Sequence, residues 1–169
     1  DADSMAIISR RQSSTHYELQ TPHGLIPIDS EPGDGSWSIY RDYTSFDDAL
    51  HGRENDQLPI WAADFDGWSD DHDLSENGKL YTWHLAGYAD NPVTSGIVLE
   101  GWRTAPHCYL RLFVPYKADQ VGQRQRHHGV WDETAFHLSM DGQHGVDIML
   151  PHVRIEGFQI HIASSTGHR

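Results

Sequence analysis

The stretch DFDGWSDDHD, residues 64–73, concentrates hard oxygen donors in a way that could hold a cation. A twelve-position calcium loop places oxygen ligands at positions 1, 3, 5, 7, 9 and 12, with glycine at 6 where the backbone turns sharply. With Gly67 at position 6, Asp64 falls at 3, Asp66 at 5, Asp70 at 9 and Asp73 at 12, and Trp68 offers its carbonyl at 7. These five are the candidate ligands, and Ca2+ is the cofactor they would take. Position 1 is Ala62, and position 12 is an aspartate in place of the longer glutamate. Both changes point to the weak, millimolar-range class of calcium site, or to a loop that is simply solvated and acidic. Trp61, Phe65 and Trp68 lie in the same region and are expected to dock it by their rings.

A second chemistry would use Glu100 and Glu156. IVLEGW (97–102) and VRIEGF (153–158) match as apolar-x-apolar-Glu-Gly-aromatic. If the two strands stack as equivalent units, their carboxylates lie about 4.8 Å apart, a separation that suits a retaining glycosidase. The plainer reading puts each glutamate at an ordinary strand-end turn, and no catalytic residue is assigned. The 13 histidines show no H-x-H or HExxH spacing, and His127 and His128 are adjacent, so on a strand they point to opposite faces. Cys108 has no partner cysteine and reads as a buried thiol.

Composition narrows the function classes. The chain has 12 Lys+Arg against 25 Asp+Glu, a formal net charge of −13. A surface of that sign disfavours a phosphate backbone, so nucleic acid is not expected as a partner. No apolar run approaches the length of a membrane span, and membrane insertion is not expected.

The elements that would position these residues are mostly strands. Residues 1–36 read as an extended leader or linker, because TPHGLIPIDSEPGDGS is crowded with proline and glycine. SFDDALH (45–51) is the one helix signal: Ser45 as N-cap, Asp48 three residues on, and Phe46, Ala49 and Leu50 on one face. Beyond residue 79 short apolar segments follow one another. The expected strands are 79–89, 96–102, 108–116, 135–140, 146–151 and 153–162, bounded by Gly, Pro, Asn or Asp. No helical pattern separates them, which leaves a barrel, a sandwich or a solenoid. Val98 or its neighbours Ile97 and Leu99, with Leu110, Leu112, Leu138, Ile148, Ile155 and Ile160, are expected in one core. The acidic loop spans 55–76, a long polar loop spans 117–134, and 163–169 form a polar tail.

In order, RDYTSFDDALHG, GYADNPVTSGIVLEGWRT, YLRLFVP, RHHGVWDETAFHLSM and PHVRIEGFQI resemble the N-terminal capping region and first coils of secreted or phage-encoded right-handed parallel β-helix proteins. The match covers about residues 40–162. It implies an all-β, right-handed parallel β-helix over 37–162 with one short capping helix; an all-β sandwich is the alternative. Arg126, His128 and Trp131, in the RHHGVW segment, would fasten the long loop to the coil. The resemblance implies an extracellular or cell-surface protein, or a virion component. The function expected is structural: a non-catalytic scaffold, filament or surface-layer subunit assembling head to tail with copies of itself. The alternatives are part of a polysaccharide-binding or polysaccharide-degrading β-helix protein and a phage tail-spike component. A solenoid coil is covered by its neighbour, and the sequence stops as regular coils begin. The chain is therefore expected to continue into a longer β-helix or to meet a partner, with Ile7, Ile8, Leu25, Ile26 and Ile28 of the leader buried against the next subunit.

Overall fold

Period-two alternation in the body resolves into short strands paired in parallel. The structure, a computed structural model, describes residues 5–21, 25–27, 38–64, 67, 72–117, 119–120 and 124–163. Its elements are β1 (Ile7–Arg11), β2 (Tyr17–Gln20), α1 (Phe46–Leu50), β3 (Trp83–Ala86), β4 (Ile97–Leu99), β5 (Leu110–Phe113), β6 (Leu138–Asp141), β7 (Val146–Ile148), β8 (Val153–Glu156) and β9 (Ile160–Ala163). The chain is mostly β, as expected.

Three small parallel sheets make up the body. One has the order β3–β5–β8, one pairs β4 with β7, and one pairs β6 with β9. A parallel bridge from Val93 to Leu138 extends the last by one position. Along the chain β3, Val93 and β4 fall one to each sheet. β5, β6 and β7 repeat that order one strand over, and β8 and β9 begin it again. All body strand pairs are parallel, so the antiparallel pairing of a sandwich is not what joins them.

Register is set by which residues face inward, since a one-residue slip would turn every aliphatic outward. Leu85, Leu112 and Ile155 align across the first sheet, as do Trp83, Leu110 and Val153. Ile97 meets Val146 and Leu99 meets Ile148 in the second; Leu138 meets Ile160 and Met140 meets Ile162 in the third. Leu99, Leu110, Leu112 and Leu138 are wholly buried, and Ile155 packs at the edge of the same cluster. Two residues expected in the core depart from it. Ile148 is 55% exposed and Ile160 46%, whereas their register partners Leu99 and Leu138 are wholly buried. Both point inward but belong to the last strand of their sheet, where no further strand among the described residues covers them.

The helix follows its sequence signal. The Ser45 hydroxyl accepts from the Asp48 N–H at 3.0 Å and donates to the Asp48 carboxylate at 2.8 Å, a reciprocal cap. Phe46, Ala49 and Leu50 bury one face. A helix this short persists only by packing. It closes one end of the core: the Trp102 indole N–H donates to the Leu50 carbonyl at 3.1 Å, and Phe46 packs against Phe136 and Phe158.

The segment expected to be an extended leader contains an antiparallel hairpin. Ile7 pairs with Gln20 and Ile8 with Leu19, with a bulge before Arg10. SSTH at 13–16 turns the chain: the Gln12 and Ser13 N–H groups both donate to the His16 carbonyl. The proline- and glycine-rich composition belongs to residues beyond β2, so it did not weigh against strand formation at 7–20.

Candidate functional site

The two Glu-Gly strand ends are locally alike and spatially apart. Gly101 and Gly157 both adopt positive φ, 77° and 81°, the left-handed conformation that glycine takes at little cost. The aromatic that follows turns into the core each time, Trp102 fully and Phe158 partly. Yet β4 belongs to the β4–β7 sheet and β8 to the β3–β5–β8 sheet. The repeat therefore marks two corners of the body. It does not mark two stacked equivalents, so the strand stacking that would have set the carboxylates at a glycosidase separation is absent.

Their environments also differ. Glu100 is exposed, whereas Glu156 takes a bidentate pair of hydrogen bonds from Arg111 Nε and Nη2, at 2.9 and 2.8 Å. Arg126 Nη2 stands 3.9 Å from the same carboxylate. The Arg111 hydrogen bonds hold the Glu156 carboxyl below its usual range, helped by the positive charge of Arg111, Arg126 and Arg154. Such a carboxylate stays ionised and committed.

Arg126 lies where the long loop meets the β3–β5–β8 sheet. Its Nε donates to the Val114 carbonyl at 3.0 Å, its guanidinium covers the Tyr116 ring at 4.5 Å, and it lies directly over Gly157. Glutamines join the loop at further points that the sequence reading passed over. The Gln125 side chain accepts from the Ala89 N–H. Gln159, buried on the short link between β8 and β9, accepts from the Asp132 N–H and donates to the Asp132 and Phe136 carbonyls. A glutamine amide among apolar residues must satisfy both its ends, and the pattern Phe-Gln-Ile at 158–160 was the available signal. His128 is exposed.

Trp131, 47% exposed, forms one wall of a cleft of about 380 Å3 lined also by Pro92, Glu133, His137, Ser139 and His161. Ser139 and His161 are register partners on the outer face of the β6–β9 sheet. Trp131 meets His137 and His161 edge-on, at 5.4 and 5.8 Å between centroids. His137 Nδ1 lies 2.9 Å from the Ala135 carbonyl, which can only accept, so in the neutral ring Nε2 is the acceptor. The cleft thus offers an aromatic wall, two imidazoles, a hydroxyl and a carboxylate, the donor and acceptor mixture that suits a polyhydroxylated ring.

Of the calcium candidates, Asp66, Trp68 and Asp70 lie outside the described residues. Asp64 is exposed with φ of 53°. Asp73 Oδ1 accepts from the Ser75 hydroxyl at 2.5 Å and its N–H at 2.9 Å, and Oδ2 lies 3.5 Å from Arg103. The Ser75 hydroxyl lowers the Asp73 carboxyl, with Arg103 adding to the effect. Lys79 Nζ donates to the Gly67 carbonyl at 2.7 Å, so an ammonium already meets the loop backbone. Among the described residues no group of three or more His, Cys, Asp or Glu side chains is arranged to hold a metal ion. The loop is docked by His72, stacked 4.5 Å from Trp102, and by a parallel bridge from Asp73 to Arg103. Trp61, expected to dock, is half exposed.

Of the assembly candidates, Ile7 and Ile8 are half-buried within the hairpin, Leu25 and Ile26 are exposed, and Ile28 lies outside the described residues. Cys108 is buried with a free thiol. No helix among the described residues is long and apolar enough to cross a membrane. No family model, no curated protein and no solved structure matches the chain.

Proposed function

We propose that the chain is a structural protein of an extracellular surface, built from the first coils of a right-handed parallel β-helix, that assembles with copies of itself. The three-sheet rotation with in-register aliphatics supports the coil reading, and the handedness follows the strong preference of parallel crossovers. The observation that carries self-assembly is the contrast between successive strands. Ile148, Ile160 and Ile162 point into the core yet are about half exposed, while α1 and Trp102 close the opposite end. An apolar cross-section of this kind is a template for further β structure.

The occupant is the β1–β2 hairpin of a second copy. Among the described elements, β1 and β2 contact chiefly each other, and Tyr17 and Leu19 are exposed. The hairpin's charged residues are Arg10, Arg11 and Glu18, with Arg10 paired to Glu18, so it is net positive in a chain of net charge −13 and an acidic neighbour attracts it. A head-to-tail contact of this type propagates unless it closes into a ring. Calcium would join the scaffold through Asp64 and Asp73 only by drawing Asp73 away from Ser75 and Arg103.

Sedimentation of the full chain across a concentration series tests the proposal. Oligomers that disappear in both Leu19→Asp and Ile162→Asp, with circular dichroism unchanged, are the expected result. A wild-type chain that stays monomeric at every concentration overturns it.

The Trp131 cleft favours a second reading, saccharide binding on the outer face. Its volume is in the range of about 300–1,000 Å3 typical of ligand pockets. Quenching of tryptophan fluorescence by a neutral oligosaccharide, lost in Trp131→Ala, would support it.

A further inference from the structure

The outer face of the β3–β5–β8 sheet carries more cations than its own carboxylate can serve. His84, Arg111 and Arg154 are register partners, one per strand, so they stand in a row at about 4.8 Å per step. Each nearby guanidinium lies on an aromatic ring: Arg111 over Phe113 at 4.4 Å, Arg126 over Tyr116 at 4.5 Å and Arg154 over Tyr109 at 4.0 Å. Glu156 sits among all three, and its oxygens are taken by Arg111. Buried Arg126 Nη2 makes no hydrogen bond among the described residues and stands 3.9 Å from the Glu156 carboxylate. Arg154 is exposed, and its contact is with the Tyr109 ring rather than with a carboxylate.

We propose that Arg154, backed by Tyr109 and next to Arg111 on the neighbouring strand, binds a carboxylate of an acidic polysaccharide, a uronate unit, lying across this sheet. A guanidinium seated over an aromatic ring keeps its N–H fork free to pair with a planar carboxylate. Arg111, Arg126 and Arg154 set three guanidiniums against the single Glu156 carboxylate, so this face is net positive and draws a negative polymer towards Arg154. The depression formed by Pro106, Tyr109, His152, Val153 and Arg154 has a volume of about 120 Å3. That is well below the roughly 300 Å3 at which pockets begin to engulf a whole small ligand, so it seats one unit of a longer chain. A net charge of −13 opposes any polyanion beyond this patch, and it opposes nucleic acid, with one charge per about 1.7 Å of duplex, more than a uronate chain with one charge per sugar. The site is on a different sheet from the Trp131 cleft and does not depend on self-assembly.

The test is calorimetric titration of the full chain at low salt with an oligogalacturonate, its methyl ester and inorganic phosphate. The expected result is binding of the oligogalacturonate that weakens with added salt, with no binding of the methyl ester. Arg154→Gln weakens it by about tenfold or more, as befits loss of a charge-assisted pair. Arg154→Lys falls between, because it keeps the charge and loses the fork. Unchanged melting of Arg154→Gln confirms that folding is not the cause. Absence of binding, equal binding by wild type and Arg154→Gln, or equal binding of the ester overturns the proposal. So does inorganic phosphate competing as strongly as the oligosaccharide, which would mark a small-anion site only.

Discussion

At the scale of single residues, Glu156 carries the largest share of the polar organisation. It neutralises Arg111, stands beside Arg126, and so links the β3–β5–β8 sheet to the long loop. Glu156→Gln keeps the shape and one acceptor but leaves two largely buried guanidiniums without their counter-charge. The side chain of Glu156 is 36% exposed, so solvent screens part of the loss, and a destabilisation of about 1–2 kcal/mol is expected in chemical denaturation. The pH dependence has a definite sign. Because the folded carboxyl titrates below its unfolded value, its stabilisation is full above the unfolded value and is lost as pH falls through the folded one. Wild type and Glu156→Gln should therefore converge in melting temperature towards acid and diverge near neutrality. A constant difference across that range would show that the carboxylate charge is not what stabilises the knot. None of this was legible beforehand. The sequence shows Glu156 before a glycine, but it does not show that Arg111, on the neighbouring strand, and Arg126, from a loop, converge on it.

At the scale of elements, the corners decide where strands end. Gly101 and Gly157 share a left-handed backbone, so alanine at either should cost about 1–2 kcal/mol from strain. They differ in what surrounds them. A Cβ at 101 meets nothing within 4 Å, whereas a Cβ at 157 would fall 2.0 Å from Arg126 Nε. Gly157→Ala should therefore cost clearly more than Gly101→Ala and should speed proteolysis of the 117–134 loop, while Gly101→Ala leaves the loop intact. Equal melting temperatures for the two variants would mean that Arg126 is not held against the corner. Local signals at this scale were readable to the extent that they were local. The Ser45–Asp48 cap and the apolar face of α1 lie within one turn, and the structure places the helix over 46–50. The single strand read over 153–162 is instead β8 and β9, separated by the Gly157 corner, because an apolar alternation continues through a bend that only the glycine betrays. The match of IVLEGW to VRIEGF was real as conformation and misleading as topology. Strand partners are chosen by long-range register, which a six-residue pattern does not encode.

At the scale of the whole molecule, burial is graded from one end of the sheets to the other. β5 is central, hydrogen-bonded to β3 on one side and β8 on the other, with Leu110 and Leu112 wholly buried. Truncating either to alanine should cost about 2–5 kcal/mol. β9 is paired on one side only and all its residues are exposed, Ile160 and Ile162 among them. Amide exchange follows the stability of the opening that exposes each hydrogen bond. In dilute protein the β5 amides should exchange only on global unfolding, and the β9 amides by local fraying. Raising the concentration should leave β5 unchanged and slow β9, because a second copy seated on the open end would have to leave before β9 can open. The hairpin amides facing that copy should slow in parallel, and neither change should occur in Leu19→Asp. Concentration-independent exchange at β9 alongside oligomers in sedimentation would place the interface elsewhere. Exchange at β9 as slow as at β5 in dilute protein would show that this end of the sheets is closed by the chain itself, and the apolar cross-section would no longer argue for a partner.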